Sequence, residues 1–219
     1  MSNSSLNKPN ATDDAPAFVL RGNRFKPLSW ESMSVEQQHM TRAVLGGQRG
    51  NMQGPYNVLL RSPEVGQLAQ AFGAHTRFNS SLPLALNELA ILLIARDWTA
   101  QFVWWAHRSI AEEAGLPVAL VQAISNQTSI PKNLPDDVMA VLEFCTELIQ
   151  TRKVGDSTFK QVVKHFGERG VVDLMATMSY YTLVCMSLNV DDYPLPDGIE
   201  PELVAHDSNS LNSKVKFSI

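Results

Sequence analysis

Apolar side chains recur at helical spacing through most of the chain, and no stretch alternates apolar and polar residues as a half-buried strand would. Glycine, proline and short polar clusters separate the apolar segments and mark their ends. The pattern predicts helices over residues 34–46, 55–60, 63–75, 84–96, 98–114, 117–126, 135–151, 158–166 and 169–190. The sequence therefore predicts an all-α fold.

Several of these helices carry recognisable start signals. Ser34 is followed three residues later by Gln37, which is the spacing of a capping box. Pro63 stands at a first helical position, where its fixed φ is favourable and its missing N–H leaves no bond unmade. Ser157 is the predicted cap of the helix that follows it.

The polar segments at the two ends of the chain divide it into three parts. Residues 1–22 are rich in Ser, Asn, Asp and Pro and are predicted to be a mobile N-terminal arm. Residues 23–200 contain all the predicted helices and form one helical domain. Residues 201–219 are predicted to be a loose C-terminal tail.

The composition is that of an ordinary globular protein. Of the 219 residues, 44% are hydrophobic and 18% are charged, which suits one domain with a substantial core. The net charge of −4 gives no basic surface for nucleic acid, so no nucleic-acid partner is expected. The first thirty residues lack a basic leader and an adequate apolar segment, so no secretory signal is expected.

The most apolar stretch, residues 171–190, is predicted to be a buried helix. Polar residues such as Asp173, Thr177 and Asn189 interrupt it, so we expect no membrane span. The two cysteines, Cys145 and Cys185, lie within apolar helical patterns and are predicted to be reduced core residues. Together these features predict a cytoplasmic protein.

One carboxylate and one imidazole lie in an otherwise apolar setting on consecutive predicted helices. Helix 84–96 is apolar nearly all round, so Glu88 within it is conspicuous. A short break joins it to the helix that carries His107, and antiparallel neighbours joined in this way can bring the two side chains into contact. The pair has two interpretations: a buried polar tie without catalytic duty, or an acid–base site.

The spacing around this pair resembles that of a known family. The pattern Glu88-x11-Ala100-x2-Val103-x3-His107, followed by Ala-Gly-Leu at 114–116, resembles the carboxymuconolactone decarboxylase family, which includes the AhpD-like alkylhydroperoxidases. The resemblance covers about residues 30–195 and implies an AhpD-like helical bundle. In the AhpD-like branch, cysteines stand at the positions of Ala100 and Val103 and do redox work, while the Glu and His relay protons.

Departures from the family pattern narrow the expected chemistry. Without thiols at positions 100 and 103, cysteine-dependent peroxidase chemistry is not available at this site. The lactone decarboxylases proper place acidic residues just before the His, where this chain has Phe102 and Val103.

What the resemblance still implies is a cofactor-free acid–base enzyme, a decarboxylase, isomerase or hydrolase, that uses Glu88 and His107. Its substrate would be a small unsaturated carboxylic acid or lactone of aromatic-compound catabolism. The alternative is a non-catalytic binding or structural member of the fold that has lost its thiols.

Five further residues are candidates for binding a substrate. The aromatic residue Trp104 or Trp105 would line a pocket beside the pair, although core or subunit-interface packing is the commoner role. Arg61 and Arg77 could each clamp a carboxylate through two hydrogen bonds, or could remain solvated. Tyr181 carries a hydroxyl that needs a partner, in a pocket or in the core.

No metal or other cofactor is expected. None of the five histidines is paired with another His or a carboxylate at the spacing of a metal site. The glycines of residues 46–50 follow a helix rather than a strand, so they do not form a phosphate-binding loop. The predicted partners are a small-molecule substrate and further copies of the chain, because the resemblance implies a homotrimer or homohexamer.

Overall fold

The computed structural model describes residues 15–204, and all extended regular structure in this range is α-helical. This confirms the prediction of an all-α fold. A 3₁₀ turn at Trp30–Ser32 precedes eight helices: α1 (Val35–Leu45), α2 (Tyr56–Leu59), α3 (Pro63–Phe78), α4 (Leu84–Asp97), α5 (Gln101–Glu113), α6 (Val118–Asn126), α7 (Asp136–Thr151) and α8 (Asp156–Asp191).

The sequence signals located some helix starts correctly. Ser34 and Gln37 form the predicted capping box, with the Ser34 side chain accepting from the Gln37 N–H and the Gln37 side chain accepting from the Ser34 N–H. Pro63 is the first residue of α3, as predicted, although this helix continues to Phe78. Ser157 is not a cap, because α8 begins one residue earlier, at Asp156, after Gly155.

The turn between α4 and α5 differs from the prediction. Helix α5 begins at Gln101 rather than at residue 98, because Trp98 ends α4 and Thr99 adopts a positive φ of 48°. The backbone N–H of Ala100 donates to the Ala95 carbonyl at 2.8 Å, which closes the end of α4. The two helices are therefore joined by a tight three-residue turn.

Helix α4 lies at the centre of the molecule. Every residue from Leu86 to Arg96 is buried, and α5, α7 and α8 all pack against it. A helix covered on all sides must be apolar all round, which explains the continuous apolar run in its sequence. Glu88 is thus set in the interior of the domain.

The N-terminal elements form a second, smaller core. Leu20 is buried there with residues of α1 and α2, and Phe18 packs edge-on against Trp30. The Phe25 N–H donates to the Asp191 carboxylate at 2.7 Å, which ties this segment to the end of α8. The described part of the predicted arm is therefore packed on the body, and residues 1–14 lie outside the described residues.

The beginning of the predicted C-terminal tail is also held in place. Leu203 is buried, and its carbonyl accepts from Gln101 Nε2 at 2.6 Å. Glu202 forms an ion pair with Arg108 at 2.8 Å. The helical domain accordingly extends beyond residue 200, to at least 204, and residues 205–219 lie outside the described residues.

Helix α8 combines the last two predicted helices. They meet at Gly167, where a positive φ of 67° interrupts the helical backbone. By length and composition α8 is the one helix among residues 15–204 that could cross a membrane, with a mean hydropathy of 1.4 in its most apolar window. That is weak evidence for a span, because 56% of the window is buried within the protein, as in a core helix.

The loop before α4 is fastened to α8 by one carboxylate. Asp173 accepts hydrogen bonds from the N–H and the hydroxyl of Ser81 at 2.8 and 2.5 Å. His75 and Arg169 approach the same carboxylate at 3.6 and 3.8 Å. Because this loop leads directly into α4, Asp173 helps to position the helix that carries Glu88.

Candidate active site

Glu88 and His107 form a short, buried hydrogen bond. His107 Nδ1 lies 2.6 Å from Glu88 Oε2, and the two residues are only 5% and 1% exposed. The prediction that the tight α4–α5 connection brings these groups into contact is confirmed. Each residue lies about two helical turns from the connection, so the antiparallel helices place them at the same height.

The hydrogen bond assigns different roles to the two imidazole nitrogens. A carboxylate can only accept, so Nδ1 carries the proton that it donates to Glu88. In the neutral ring Nε2 is then a free lone pair, and in the charged ring it is a donor. Nε2 has no hydrogen-bond partner among residues 15–204, so it can serve as a proton acceptor or donor for a bound molecule.

A cavity of about 310 Å³ opens beside the imidazole. This volume is at the small end of the range of about 300–1,000 Å³ for ligand pockets. His107 lines the cavity, whereas Glu88 lies behind the ring and is not part of the wall. The remaining wall combines aromatic rings with two cations: Arg49, Arg77, Phe102, Trp105, Tyr180 and Tyr181.

Of the two candidate tryptophans, the structure places Trp105 in the cavity wall. Trp105 is 38% exposed and its ring contacts that of Phe102, with centroids 5.4 Å apart. Trp104 is 1% exposed and packs in the main core, so Trp105 is the member of this pair that lines the cavity. One residue along a helix rotates the side chain by about 100°, which separates the two roles.

Of the two candidate arginines, the structure places Arg77 in the cavity wall. Arg61 lies elsewhere: its guanidinium donates to the Lys26 carbonyl and lies 5.9 Å from the centroid of the Phe25 ring. The structure therefore does not bring Arg61 to the cavity, because this side chain holds the extended segment before the 3₁₀ turn against the body.

Arg49 is a cavity residue that the sequence analysis missed. It lies in the glycine-bearing loop between α1 and α2, which also brings Asn51 and Gln53 to the wall. Both Arg49 and Arg77 are half-buried, and no acidic residue within 15–204 forms an ion pair with either guanidinium. Two such cations at one cavity favour an anionic ligand.

Tyr181 packs directly against His107. Its ring meets the His107 imidazole edge-to-face, with centroids 4.9 Å apart. Tyr180 turns towards α3, where the backbone of Gly73 approaches so closely that a Cβ there would overlap the Tyr180 hydroxyl. Burial raises the pKa of both phenols, so both remain protonated at neutral pH.

Aliphatic side chains occupy the two positions at which the AhpD-like enzymes carry redox cysteines. Ala100 and Val103 are buried at the start of α5, and Val103 is part of the cavity wall next to His107. Cys145 and Cys185 are free and buried in the main core, which confirms their prediction as reduced core residues. Within the described range no group of three His, Cys, Asp or Glu side chains is arranged to hold a metal ion.

The two cysteines are expected to be chemically silent in the folded protein. Burial raises the pKa of both thiols, so neither forms the thiolate that reacts with peroxide or disulfides. Native protein should therefore show no thiol labelling by a disulfide reagent, and two thiols should appear after denaturation. Dithiol-coupled peroxide turnover that disappears in Cys145→Ser or Cys185→Ser would contradict this assignment.

Neither a scan of protein-family models nor a search of curated proteins finds a match to this chain. The resemblance to the carboxymuconolactone decarboxylase family therefore rests on the motif around Glu88 and His107. The geometry and chemistry of the site are therefore the basis for its function.

Proposed function

We propose that this protein is a cofactor-free acid–base enzyme acting on a small unsaturated carboxylic acid or lactone. The observation that carries the proposal is the position of His107, which stands between a buried carboxylate and a cavity with two cations in its wall. A general acid or base needs a fixed ring with one nitrogen facing the reactant, and Glu88 provides that fixation. Arg49 and Arg77 would bind the carboxylate of the substrate.

Decarboxylation and isomerisation at such a site share one intermediate. In decarboxylation, the electrons of the breaking carbon–carbon bond move into the conjugated carbonyl, CO₂ leaves, and imidazolium Nε2–H protonates the carbon. In isomerisation, neutral Nε2 first removes a proton from carbon and later returns it at another position. Both routes pass through an enolate whose charge lies on oxygen, and lactone hydrolysis likewise develops charge on the carbonyl oxygen.

We also propose a family, a metabolic role and a cellular location for the enzyme. We place it in the carboxymuconolactone decarboxylase family, as a branch without the redox cysteines, with a role in the breakdown of aromatic compounds. The spacing of Glu88 and His107 supports this placement. Two buried free thiols suit a reducing compartment, so we propose a cytoplasmic location.

Deuterium exchange tests the acid–base function whichever compound the enzyme converts. The protein is incubated in D₂O with a panel of small unsaturated carboxylates and lactones, and proton NMR follows the hydrogens next to each carbonyl. An enzyme that forms enolates should replace such hydrogens with deuterium in at least one compound. His107→Ala should abolish the exchange, while His39→Ala, which changes an exposed histidine outside the cavity wall, should leave it intact.

The same experiment separates the enzyme from the alternative of a binding or structural protein. Compounds that bind the wild-type protein but show neither exchange nor conversion would contradict the catalytic proposal. They would favour the non-catalytic alternative, in which the Glu88–His107 pair is a buried polar tie.

We also propose that the chain assembles into a homotrimer or a multiple of it. In the part of α8 that follows Gly167, four large apolar residues remain exposed and lie within about 60° of one another around the helix. We call this surface the α8 stripe; it consists of Val172, Met175, Met186 and Val190. Aligned apolar residues of this kind are typical of a surface covered by another copy of the chain.

Light scattering at micromolar concentration should therefore return a trimer or hexamer. Met186→Glu should shift the protein towards the monomer, because a charge in an apolar contact must be desolvated without a partner. Val35→Glu is the control, since Val35 is an exposed apolar residue at the start of α1, outside the α8 stripe. A wild-type monomer, or equal effects of the two variants, would contradict the proposed assembly surface.

A further inference from the structure

The Tyr181 hydroxyl has no hydrogen-bond partner among residues 15–204 although it is fully buried. A buried hydroxyl that makes no hydrogen bond is costly, so such groups are normally paired with protein, water or ligand. Tyr181 lines the cavity and contacts the His107 ring. Its missing partner is therefore expected in the cavity, next to the atom that exchanges a proton with His107.

The neighbouring Tyr180 also lines the cavity, and its hydroxyl likewise lacks a hydrogen-bond partner among residues 15–204. The two residues differ in their surroundings, because it is the Tyr181 ring that packs against His107. The two tyrosines are consecutive on α8, and their rings are perpendicular with centroids 5.4 Å apart. The Tyr180 hydroxyl is directed at Gly73 of α3, whereas the Tyr181 ring packs on the imidazole. The chain thus offers a matched pair of phenols in one cavity wall, one of them beside His107.

We propose that the Tyr181 hydroxyl donates a hydrogen bond to the substrate oxygen that becomes negatively charged during the reaction. The substrate is then a molecule with two recognised ends: a conjugated carbonyl at His107 and Tyr181, and a carboxylate at Arg49 and Arg77. This inference rests on the proposed acid–base function and specifies its substrate class. Tyr181 would be a further catalytic residue, because it contacts the reacting group.

The environment of Tyr181 suits a donor that keeps its proton. Burial raises the pKa of this phenol; the positive charge of Arg77 has the next largest effect and opposes burial, while the negative charge of Glu88 adds to it. The hydroxyl therefore donates without transferring its proton, and every proton in the reaction passes through His107 Nε2. A fixed donor in a site that excludes water stabilises an oxyanion more strongly than water does.

A chromophoric phenolate can stand in for the charged intermediate. The probe is 4-hydroxy-3-nitrobenzoate, which has a carboxylate for the arginines and, at the opposite end, a phenol that ionises near neutral pH and changes colour. Its binding and ionisation are followed by absorbance titration at several pH values. The companion probe 2-nitrophenol lacks the carboxylate and so reports on the Tyr181 end alone.

Wild-type protein should bind both probes as phenolates and extend their ionisation to lower pH. Tyr181→Phe should weaken phenolate binding by about 10- to 100-fold, as expected for the loss of one hydrogen bond to a charged oxygen. Tyr180→Phe should have a much smaller effect on binding and ionisation, because its hydroxyl is directed at Gly73 and its ring does not pack on His107. Arg77→Gln should weaken the carboxylate probe and leave 2-nitrophenol unaffected.

Three results would overturn the inference: no binding of either probe by the wild-type protein at millimolar concentration, equal binding by wild type and Tyr181→Phe, or equal losses in Tyr181→Phe and Tyr180→Phe. Probe binding requires no turnover, so it is independent of the deuterium-exchange experiment. Probe binding that depends on Tyr181, without deuterium exchange, would reject the acid–base function and retain the oxyanion site. Deuterium exchange together with probe binding that does not depend on Tyr181 would retain the acid–base function and reject the oxyanion site.

Discussion

His107→Ala is expected to lower turnover by about 10²- to 10⁴-fold, the usual contribution of a general acid–base group. The variant removes the only histidine in the cavity wall of the described structure, and no other imidazole there can relay the proton. Steady-state kinetics on a substrate found by exchange would measure the loss. Because Glu88 then lacks its partner, circular dichroism should accompany the kinetics to show that the variant is folded.

Glu88→Gln distinguishes two contributions of Glu88: its hydrogen bond, which orients the His107 ring, and its negative charge. Glutamine can accept the same hydrogen bond from His107 Nδ1 but lacks the negative charge that stabilises a charged ring, so turnover should fall. The double variant should cost little more than His107→Ala alone, since residues acting as a unit are not additive. Wild-type rates in both single variants would mean that the pair is structural.

Asp173→Ala is expected to lower the free energy of unfolding by about 1–3 kcal/mol, because Ser81 loses both of its hydrogen bonds to a nearly buried carboxylate. Denaturant titration would measure the loss. The loop at Ser81 leads into α4, so the site is expected to loosen together with the fold. Glu168→Ala is the matched control, since it changes an exposed acidic residue near the start of the same part of α8. A loss of the same size in the control would contradict the assignment.

The contribution of Asp173 should also depend on pH in a defined direction. Burial raises the pKa of this carboxyl, but the hydrogen bonds from Ser81, with His75 and Arg169, outweigh burial and hold the pKa below the ordinary 3.8. A carboxyl with a lowered folded pKa stabilises the protein above its unfolded pKa. The stability difference between wild type and Asp173→Ala should thus be complete at neutral pH and shrink as the pH falls below 3.8. A difference in unfolding free energy that stays constant down to strongly acidic pH would contradict this prediction.

Some features of the fold that depend on local chemistry were predictable from the sequence, although the predicted cap at Ser157 and the predicted start of α5 were wrong. The capping box at Ser34 and Gln37 and the proline at position 63 act through neighbouring residues, and the structure has both. The continuous apolar run of α4 predicted a buried helix, and a carboxylate inside it predicted a partner on the next helix. Short antiparallel connections leave few positions for such a partner, which is why His107 could be identified.

The features that depend on packing between distant segments were not predictable in the same way. Trp104 and Trp105 are adjacent and chemically identical, and the packing of α5 against its neighbouring helices decides which of them is in the core. Arg49 and Arg61 both lie near helix ends, but the loop of residues 46–54 turns one towards the cavity and the extended segment engages the other. Such choices are made by tertiary contacts, which hydrophobic periodicity does not encode.

The close approach of α3 to α8 at Gly73 has a consequence for ligand affinity. Any side chain at position 73 would collide with Tyr180, since even a Cβ would overlap its ring. Either α3 or the Tyr180 ring would then have to move, and each contributes to the cavity wall. Arg77 follows Gly73 by four residues and therefore lies on the same face of α3, one turn further on. Outward movement of α3 would withdraw this cation from the cavity. A residue with no side chain thus determines how strongly an anion is held, and a substitution there would weaken binding without removing any polar group.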